Sequence, residues 1–68
     1  MAIVLDERYE RILYFLQKHD HIYDTNTVCQ NTSTEIADVL YLRDKLHFLK
    51  WYDYGIPALD SEGLNYLA

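Results

Sequence analysis

The fold is decided by residues 46–59, LHFLKWYDYGIPAL. Residues 46–52 alternate loosely, are rich in aromatic side chains and follow a helical segment, so they predict a β-strand. Residues 52–55 end in Gly55 and predict a tight turn. Residues 56–59 form the return strand, which we expect at a sheet edge because Pro57 has no amide hydrogen to donate to a ladder. The stretch therefore predicts a β-hairpin.

A helix is predicted immediately before this hairpin, over residues 33–45. Residues 32–35, TSTE, are typical of a capping box, in which the Thr32 hydroxyl and the Glu35 carboxylate each accept from the other's backbone amide. The predicted buried stripe consists of Ile36, Val39, Leu40 and Leu46. The predicted outward positions are Thr34, Asp38, Tyr41 and Lys45. Arg43 falls within the apolar stripe, so either its side chain snorkels near the helix end or the helix stops near Leu42.

Two more helices are predicted before residue 32. Asp6 can cap a helix over residues 6–19, in which Glu7 and Arg11 are spaced for an ion pair. Its apolar face contains Tyr9, Ile12, Leu13 and Leu16. Residues 22–24 are either a minimal strand or an extended link. Residues 25–27 offer capping side chains for one or two helical turns over 28–31.

A last helix follows the hairpin. Asp60 is its predicted N-cap, Leu59 and Leu64 are spaced as a hydrophobic staple, and Leu64 and Leu67 are expected to be buried. Two helices joined by a tight turn and followed by a hairpin predict an α+β fold of the winged helix-turn-helix type. We expect three to four helices with a short two- to three-stranded antiparallel sheet.

Composition allows one small domain over residues 1–68. Half of the residues are hydrophobic, which is enough to collapse a core, and Cys29 is the single cysteine, which excludes a disulfide scaffold. Residues 1–5, MAIVL, form an apolar N-terminal arm that either packs on its own domain or contacts a second subunit. The arm is too short for a membrane span and lacks a signal-peptide pattern, so we expect a cytoplasmic protein without membrane contact. The small core favours a homodimer.

The sequence resembles small winged-helix, phage-repressor-like transcription regulators of haloarchaea and their viruses. The resemblance is carried by residues 11–16 (RILYFL), 19–23 (HDHIY) and 25–31 (TNTVCQN). It is also carried by residues 56–67 (IPALDSEGLNYL), which are similar to the L-T-x-x-G-x-x-Y-L ending of that family, with Asp60 in place of Thr. The resemblance implies that the helix over residues 33–45 enters the major groove of double-stranded DNA. Thr34 and Tyr41 would then face bases, and Asp38 would accept from a cytosine amino group.

The charge distribution bears on this hypothesis. The chain carries six Lys and Arg residues against eleven Asp and Glu, a formal net charge of −5, which repels phosphate backbones at long range. Residues 32–51 are the least acidic part, and four of their side chains could contact phosphates: Arg43, Lys45, His47 and Lys50. The alternative is a solvated helix end whose cations complement the helix dipole.

Other kinds of site have weaker support. Tyr52 and Tyr54 beside the turn could stack on bases or pack across strands, whereas Trp51 is expected in the core. No metal-ligand spacing such as CxxC or HxxxH occurs, and we expect neither a metal nor a cofactor. No catalytic motif stands out, and a domain of this size has little room for a deep pocket, so we expect no enzyme activity.

The sequence thus favours a small DNA-binding transcription regulator that acts as a homodimer on double-stranded DNA. A winged-helix protein–protein interaction module that does not bind DNA is the main alternative, because Tyr is favoured at interfaces. An acidic DNA mimic is a third possibility, supported by the charge alone.

Overall fold

The computed structural model describes residues 5–68, which form an α+β fold of four helices and one two-stranded antiparallel sheet. The elements are, in chain order, α1 (Glu7–Lys18), α2 (Thr25–Thr32), α3 (Ile36–Asp44), β1 (Leu49–Asp53), β2 (Ile56–Leu59) and α4 (Ser61–Leu67). Within this range, no helix has the length and apolarity needed to cross a bilayer. Of the predicted N-terminal arm, residues 1–4 lie outside the described residues, and Leu5 packs half-buried against the core.

Helix α1 forms as predicted. The Asp6 carboxylate accepts from the backbone amide of Arg8 at 3.1 Å and caps the helix. Ile12, Leu13 and Leu16 are completely buried and form the centre of the hydrophobic core. The expected pair between Glu7 and Arg11 is present, with 3.7 Å between Oε1 and Nη1.

Helix α2 begins earlier than predicted, and its cap is Asp24. The Asp24 carboxylate accepts from the backbone amide of Thr27 at 3.0 Å, and hydrogen bonding to the side chain and the backbone of Thr27 lowers the pKa of that carboxyl. The expected capping by the side chains of residues 25–27 is therefore wrong. The helix places Val28 and Cys29 in the core, and burial raises the pKa of the Cys29 thiol.

The predicted capping box at residues 32–35 is also wrong. Thr32 is the last residue of α2, and its hydroxyl donates to the Val28 carbonyl at 2.7 Å, a bond that threonine makes readily one helical turn back. Ser33 adopts a left-handed conformation with φ of 55° and ends the helix. Helix α3 consequently begins at Ile36 rather than at residue 33, with Glu35 as its N-cap.

The predicted buried stripe of α3 is only partly confirmed, since Val39 and Leu46 pack in the core but the other two residues do not. Val39 and Leu42 are completely buried, whereas Ile36 is 49% exposed and Leu40 is half-buried. A stripe of residues 39, 42 and 46 has helical spacing and excludes Arg43, so the conflict between Arg43 and the apolar stripe disappears. The helix continues to Asp44.

The hairpin follows α3 by way of His47, whose φ is 56°. The Phe48 amide then donates to the Leu42 carbonyl at 2.9 Å, so β1 begins at Leu49 instead of at residue 46. The return strand β2 has the predicted bounds, with Leu49 opposite Leu59 and Trp51 opposite Pro57. A register shift between Trp51 and Asp53 precedes the turn at Gly55, whose φ is 74°.

The link at residues 22–24 is not a third strand. It lies alongside β2, because the Leu59 amide donates to the Asp20 carboxylate at 3.1 Å and the Thr25 amide donates to the Gly55 carbonyl at 2.9 Å. Between these two bonds, His21 has φ of 47°, which interrupts the extended backbone that a ladder needs. The sheet therefore has two strands among the described residues.

Helix α4 starts at its predicted cap, since the Asp60 carboxylate accepts from the Ser61 amide at 2.7 Å. Its predicted buried face is partly wrong, because Leu64 is 53% exposed while Leu67 and Tyr66 pack half-buried against the core. The close contact is made by Gly63, where a β-carbon would collide with the carbonyl oxygen of Phe48. The absence of a side chain at Gly63 thus lets α4 lie directly on the start of the hairpin.

We therefore expect Gly63→Ala to destabilise the protein by about 1–3 kcal/mol, because the backbone at Phe48 has to move. Helix propensity alone predicts the opposite, a gain of about 1 kcal/mol from replacing glycine. Asn65→Ala, at an exposed position of the same helix, is the control and should leave stability unchanged or slightly raised. Urea unfolding followed by circular dichroism measures both, and a stabilised Gly63→Ala variant would refute the contact.

Candidate functional site

The structure does not bring the seven predicted DNA-contacting residues onto one surface. Thr34 precedes α3 instead of lying on it, is half-buried, and places its hydroxyl 2.7 Å from that of Thr32. The prediction that Thr34 projects outward from the helix is therefore wrong. The prediction is wrong because α3 is capped at Glu35 instead of Thr32 and therefore begins after residue 34.

Asp38 is buried, at 8% exposure, and its predicted outward orientation is also wrong. Its carboxylate accepts from the backbone amide of Glu35 at 3.0 Å and lies 3.7 Å from Nε of Arg8 in α1. The Asp38 side chain thus gives a free backbone amide at the start of α3 a hydrogen-bond partner and links the helix to α1. This structural role leaves it unavailable to a base edge.

Tyr41 faces outward as predicted and is 41% exposed, but its ring is stacked on Tyr9 of α1 with 5.1 Å between centroids. The Arg8 guanidinium lies over the Tyr9 ring, with 4.8 Å between its carbon and the ring centroid. This stack holds Tyr41 against α1, so its ring covers the α1–α3 contact.

The four predicted cationic positions separate into two groups. Arg43 donates to both carboxylate oxygens of Asp44, at 2.7 and 3.1 Å, and this bidentate pair lowers the pKa of Asp44. Its guanidinium carbon also lies 4.5 Å from the centroid of the Trp51 ring. Lys45, His47 and Lys50 are exposed, and they follow α3 rather than lying on it.

The outward face of α3 is apolar at Ile36 and Leu40, contrary to the prediction that both are buried. Ile36 and Leu40, one turn apart, open into a groove between α3 and the hairpin, which we call the α3–hairpin groove. The apolar residues lining it are Ile36, Leu40, Trp51 and Tyr54. Asp24 and Asp53 are its charged lining residues, both acidic. The four-residue spacing of Ile36 and Leu40 is visible in the sequence, but the predicted stripe assigned both residues to the core.

Trp51 is 39% exposed, and its predicted place in the core is wrong. In β1 only Leu49 is buried, whereas three of the four residues of β2 are buried. Tyr54, at the turn, is fully exposed. Two large aromatic side chains thus border the groove with much of their surface in water.

The walls of the α3–hairpin groove are held in place by hydrogen bonds. The backbone amide and the hydroxyl of Thr25 both donate to the Gly55 carbonyl, at 2.9 and 3.0 Å, and join the start of α2 to the hairpin turn. On the hairpin, the His21 ring stacks on Tyr52 with 4.3 Å between centroids. These contacts fix the hairpin relative to the helices before anything binds.

Other side-chain clusters and grooves are weaker candidates for a functional site. Among residues 5–68, no three His, Cys, Asp or Glu side chains lie together as metal ligands. A second groove, between α1 and α2, is lined by side chains of both charges. There Arg11 is already engaged, since it donates to the Thr32 carbonyl at 2.7 Å.

The placement of Asp38 is tested by Asp38→Ala, which should destabilise the fold by about 1–2 kcal/mol through loss of the helix-start bond and of the Arg8 partner. Asp38→Asn, whose amide oxygen can still accept, should recover part of this loss. Glu62→Ala, at an exposed position of α4, is the control for loss of a carboxylate and should change stability little. If Asp38→Ala had the same urea midpoint of unfolding as the wild type, the structural role assigned to Asp38 would be wrong.

No protein-family model, curated protein or solved structure matches the chain, so the function is inferred from the surface described above.

Proposed function

We propose that the chain is a winged-helix domain that binds another protein through the α3–hairpin groove and is not an enzyme. The order of α1, α2, α3 and the β1–β2 hairpin supports the winged-helix assignment, with α3 as the second helix of the turn motif and the hairpin as the wing. The observation that carries the function is the outward face of α3, where Ile36 and Leu40 open towards Trp51 without a cation between them.

This face is poorly suited to DNA. In helix-turn-helix proteins the second helix enters the major groove, and the surrounding side chains neutralise phosphates. Here the same position presents aliphatic side chains, with Asp24 and Asp53 nearby. A net charge of −5 adds repulsion at long range.

The same face suits a protein. Tryptophan and tyrosine dominate the binding energy of protein interfaces, because they bury a large area at a low entropic cost. Trp51 and Tyr54 border a groove of about 760 Å³, a volume within the range of binding pockets. The hydrogen bonds that hold the hairpin reduce the ordering cost that binding would incur.

DNA binding is the second candidate, and the exposed positions Lys45, His47 and Lys50 favour it. They would contact phosphates beside the end of α3, together with Arg43 if Asp44 released it. The homodimer expected from the sequence belongs to the DNA-binding candidate. About three or four phosphate contacts per subunit would bind DNA weakly, and a second subunit on a second half-site would double their number.

A titration with mixed-sequence duplex DNA, followed by amide NMR at low and then high salt, separates the two candidates. We expect the amide resonances of residues 36–41 to stay in place at both salt concentrations, because that face offers phosphates no cation. If resonances from residue 34 to residue 50 shift together, return as salt rises, and stay fixed in Lys45→Glu, the chain binds DNA and the first proposal fails.

Protein binding is tested by selecting a randomised 12-residue peptide library on the wild-type protein and counter-selecting on Leu40→Gln. This substitution keeps the charge and the helix propensity while making the groove polar. We expect peptides that bind the wild type and Leu64→Gln, a matched change at an exposed leucine of α4, but lose most of their affinity for Leu40→Gln. Ile36→Ser gives a second groove variant should Leu40→Gln fold poorly. Selection that yields no peptide sensitive to either groove variant would overturn the proposal.

A further inference from the structure

We infer that the α3–hairpin groove takes a basic segment of the partner protein, with apolar side chains seated between Ile36, Leu40 and Trp51 and cationic side chains at Asp24 and Asp53. This inference rests on the proposed function and specifies the chemistry of the partner. It is carried by the charge of the groove as well as by its apolar lining.

Both charged residues that line the groove are aspartates, and both are exposed. One oxygen of Asp24 accepts from the Thr27 amide at 3.0 Å, and one oxygen of Asp53 accepts from the Tyr54 amide at 2.7 Å. A carboxylate has two oxygens with about four acceptor sites, so each aspartate can still accept from a lysine or an arginine. Hydrogen bonding to the side chain and the backbone of Thr27 also lowers the pKa of Asp24.

Arg43 contacts this lining through Trp51, and its charge is already compensated. Its guanidinium is held against the Trp51 ring and bound in bidentate fashion by Asp44. Within residues 5–68, neither of the two aspartates that line the groove takes part in an ion pair. A partner with an acidic surface would meet repulsion there, whereas a basic one would gain from both carboxylates.

The apolar lining sets the second requirement on the partner. Ile36, Trp51 and Tyr54 are 49%, 39% and 100% exposed, and Leu40 lies half-buried among them. Exposed ion pairs alone give little affinity, so cations without apolar anchors would bind weakly. A segment with two or three aliphatic or aromatic side chains would remove this surface from water, and its cations would fix the register.

A second copy of this chain fits the groove less well. Two chains with a net charge of −5 each repel one another, and the apolar arm at residues 1–5 contains no basic side chain. If the occupant were a second copy, the emission of Trp51 would change on dilution of the wild type and not of Leu40→Gln. That result would overturn the inference.

Trp51 is the only tryptophan of the chain and borders the groove, so its fluorescence reports occupancy. The probes are the peptides selected above against Leu40→Gln, made synthetically without tryptophan. We expect them to be enriched in Lys and Arg relative to the unselected library and to shift Trp51 emission to the blue. Replacing their Lys and Arg by Gln should weaken binding by about tenfold, the order expected for the loss of two ion pairs.

The matched protein variants are Asp24→Asn with Asp53→Asn against Glu7→Gln with Glu62→Gln. Both doubles remove two negative charges, but Glu7 and Glu62 lie on α1 and α4, away from the lining of the groove. Asparagine caps a helix about as well as aspartate, so Asp24→Asn keeps the start of α2. We expect the first double to weaken peptide binding by about three- to tenfold and the second by less than about twofold.

The outcomes distinguish this inference from the proposed function. Peptides that depend on Leu40 but are neutral or acidic, or that bind both double variants equally, would overturn the basic partner and leave protein binding in place. Selection without any peptide that depends on Leu40 or Ile36 would overturn both. Basic peptides that depend on Leu40 and on the two aspartates would support both.

Discussion

Burial of Val39 and Leu42 against the core fixes the rotation of α3 about its axis, and the rest of the surface follows from it. With these two side chains inward, Asp38 is carried into the interface with α1, where it can serve the start of the helix and face Arg8. The same rotation turns Ile36 and Leu40 outward. The helix thus exposes an aliphatic face because its most buried positions leave no other orientation, and this face forms one wall of the α3–hairpin groove.

The position of the hairpin depends on a few contacts made by residues outside the sheet. The Asp20 carboxylate holds the end of β2, Thr25 holds the turn through the Gly55 carbonyl, and Gly63 lets α4 approach the backbone of Phe48. A hairpin of two short strands is marginally stable by itself, so these contacts supply what a third strand would otherwise provide. They place Trp51 opposite α3 and give the groove its second wall.

Much of this architecture could be predicted from the sequence, because α1, β2 and the Asp60 cap each have one pattern that fits. The start of α3 could not be predicted, since Thr32 and Glu35 both have side chains suited to a helix end. The outcome follows from the place of Thr32 at the end of α2, where its hydroxyl donates to the Val28 carbonyl and its own carbonyl accepts from Arg11 of α1. Ile36 with Leu40, and Val39 with Leu42, both have the spacing of an apolar helix face. The sequence does not distinguish which pair is buried, and the predicted orientation of Leu40 is wrong for this reason. Trp51 was misplaced because a large aromatic side chain suggests the core, whereas the short sheet leaves most of β1 uncovered.

Within residues 5–68, three non-glycine residues have a positive φ: His21, Ser33 and His47. Each lies where one element must end for the next to begin, and each costs about 1–2 kcal/mol relative to a glycine at the same place. A domain of this size has a free energy of unfolding of only about a few kcal/mol, so the summed conformational cost at these three residues is of similar size. His21 also stacks on Tyr52, so Ser33 and His47 are the two junctions where glycine or asparagine would remove this cost and leave that stack in place. The stability gained there would offset destabilising changes elsewhere in the chain, including changes in the groove.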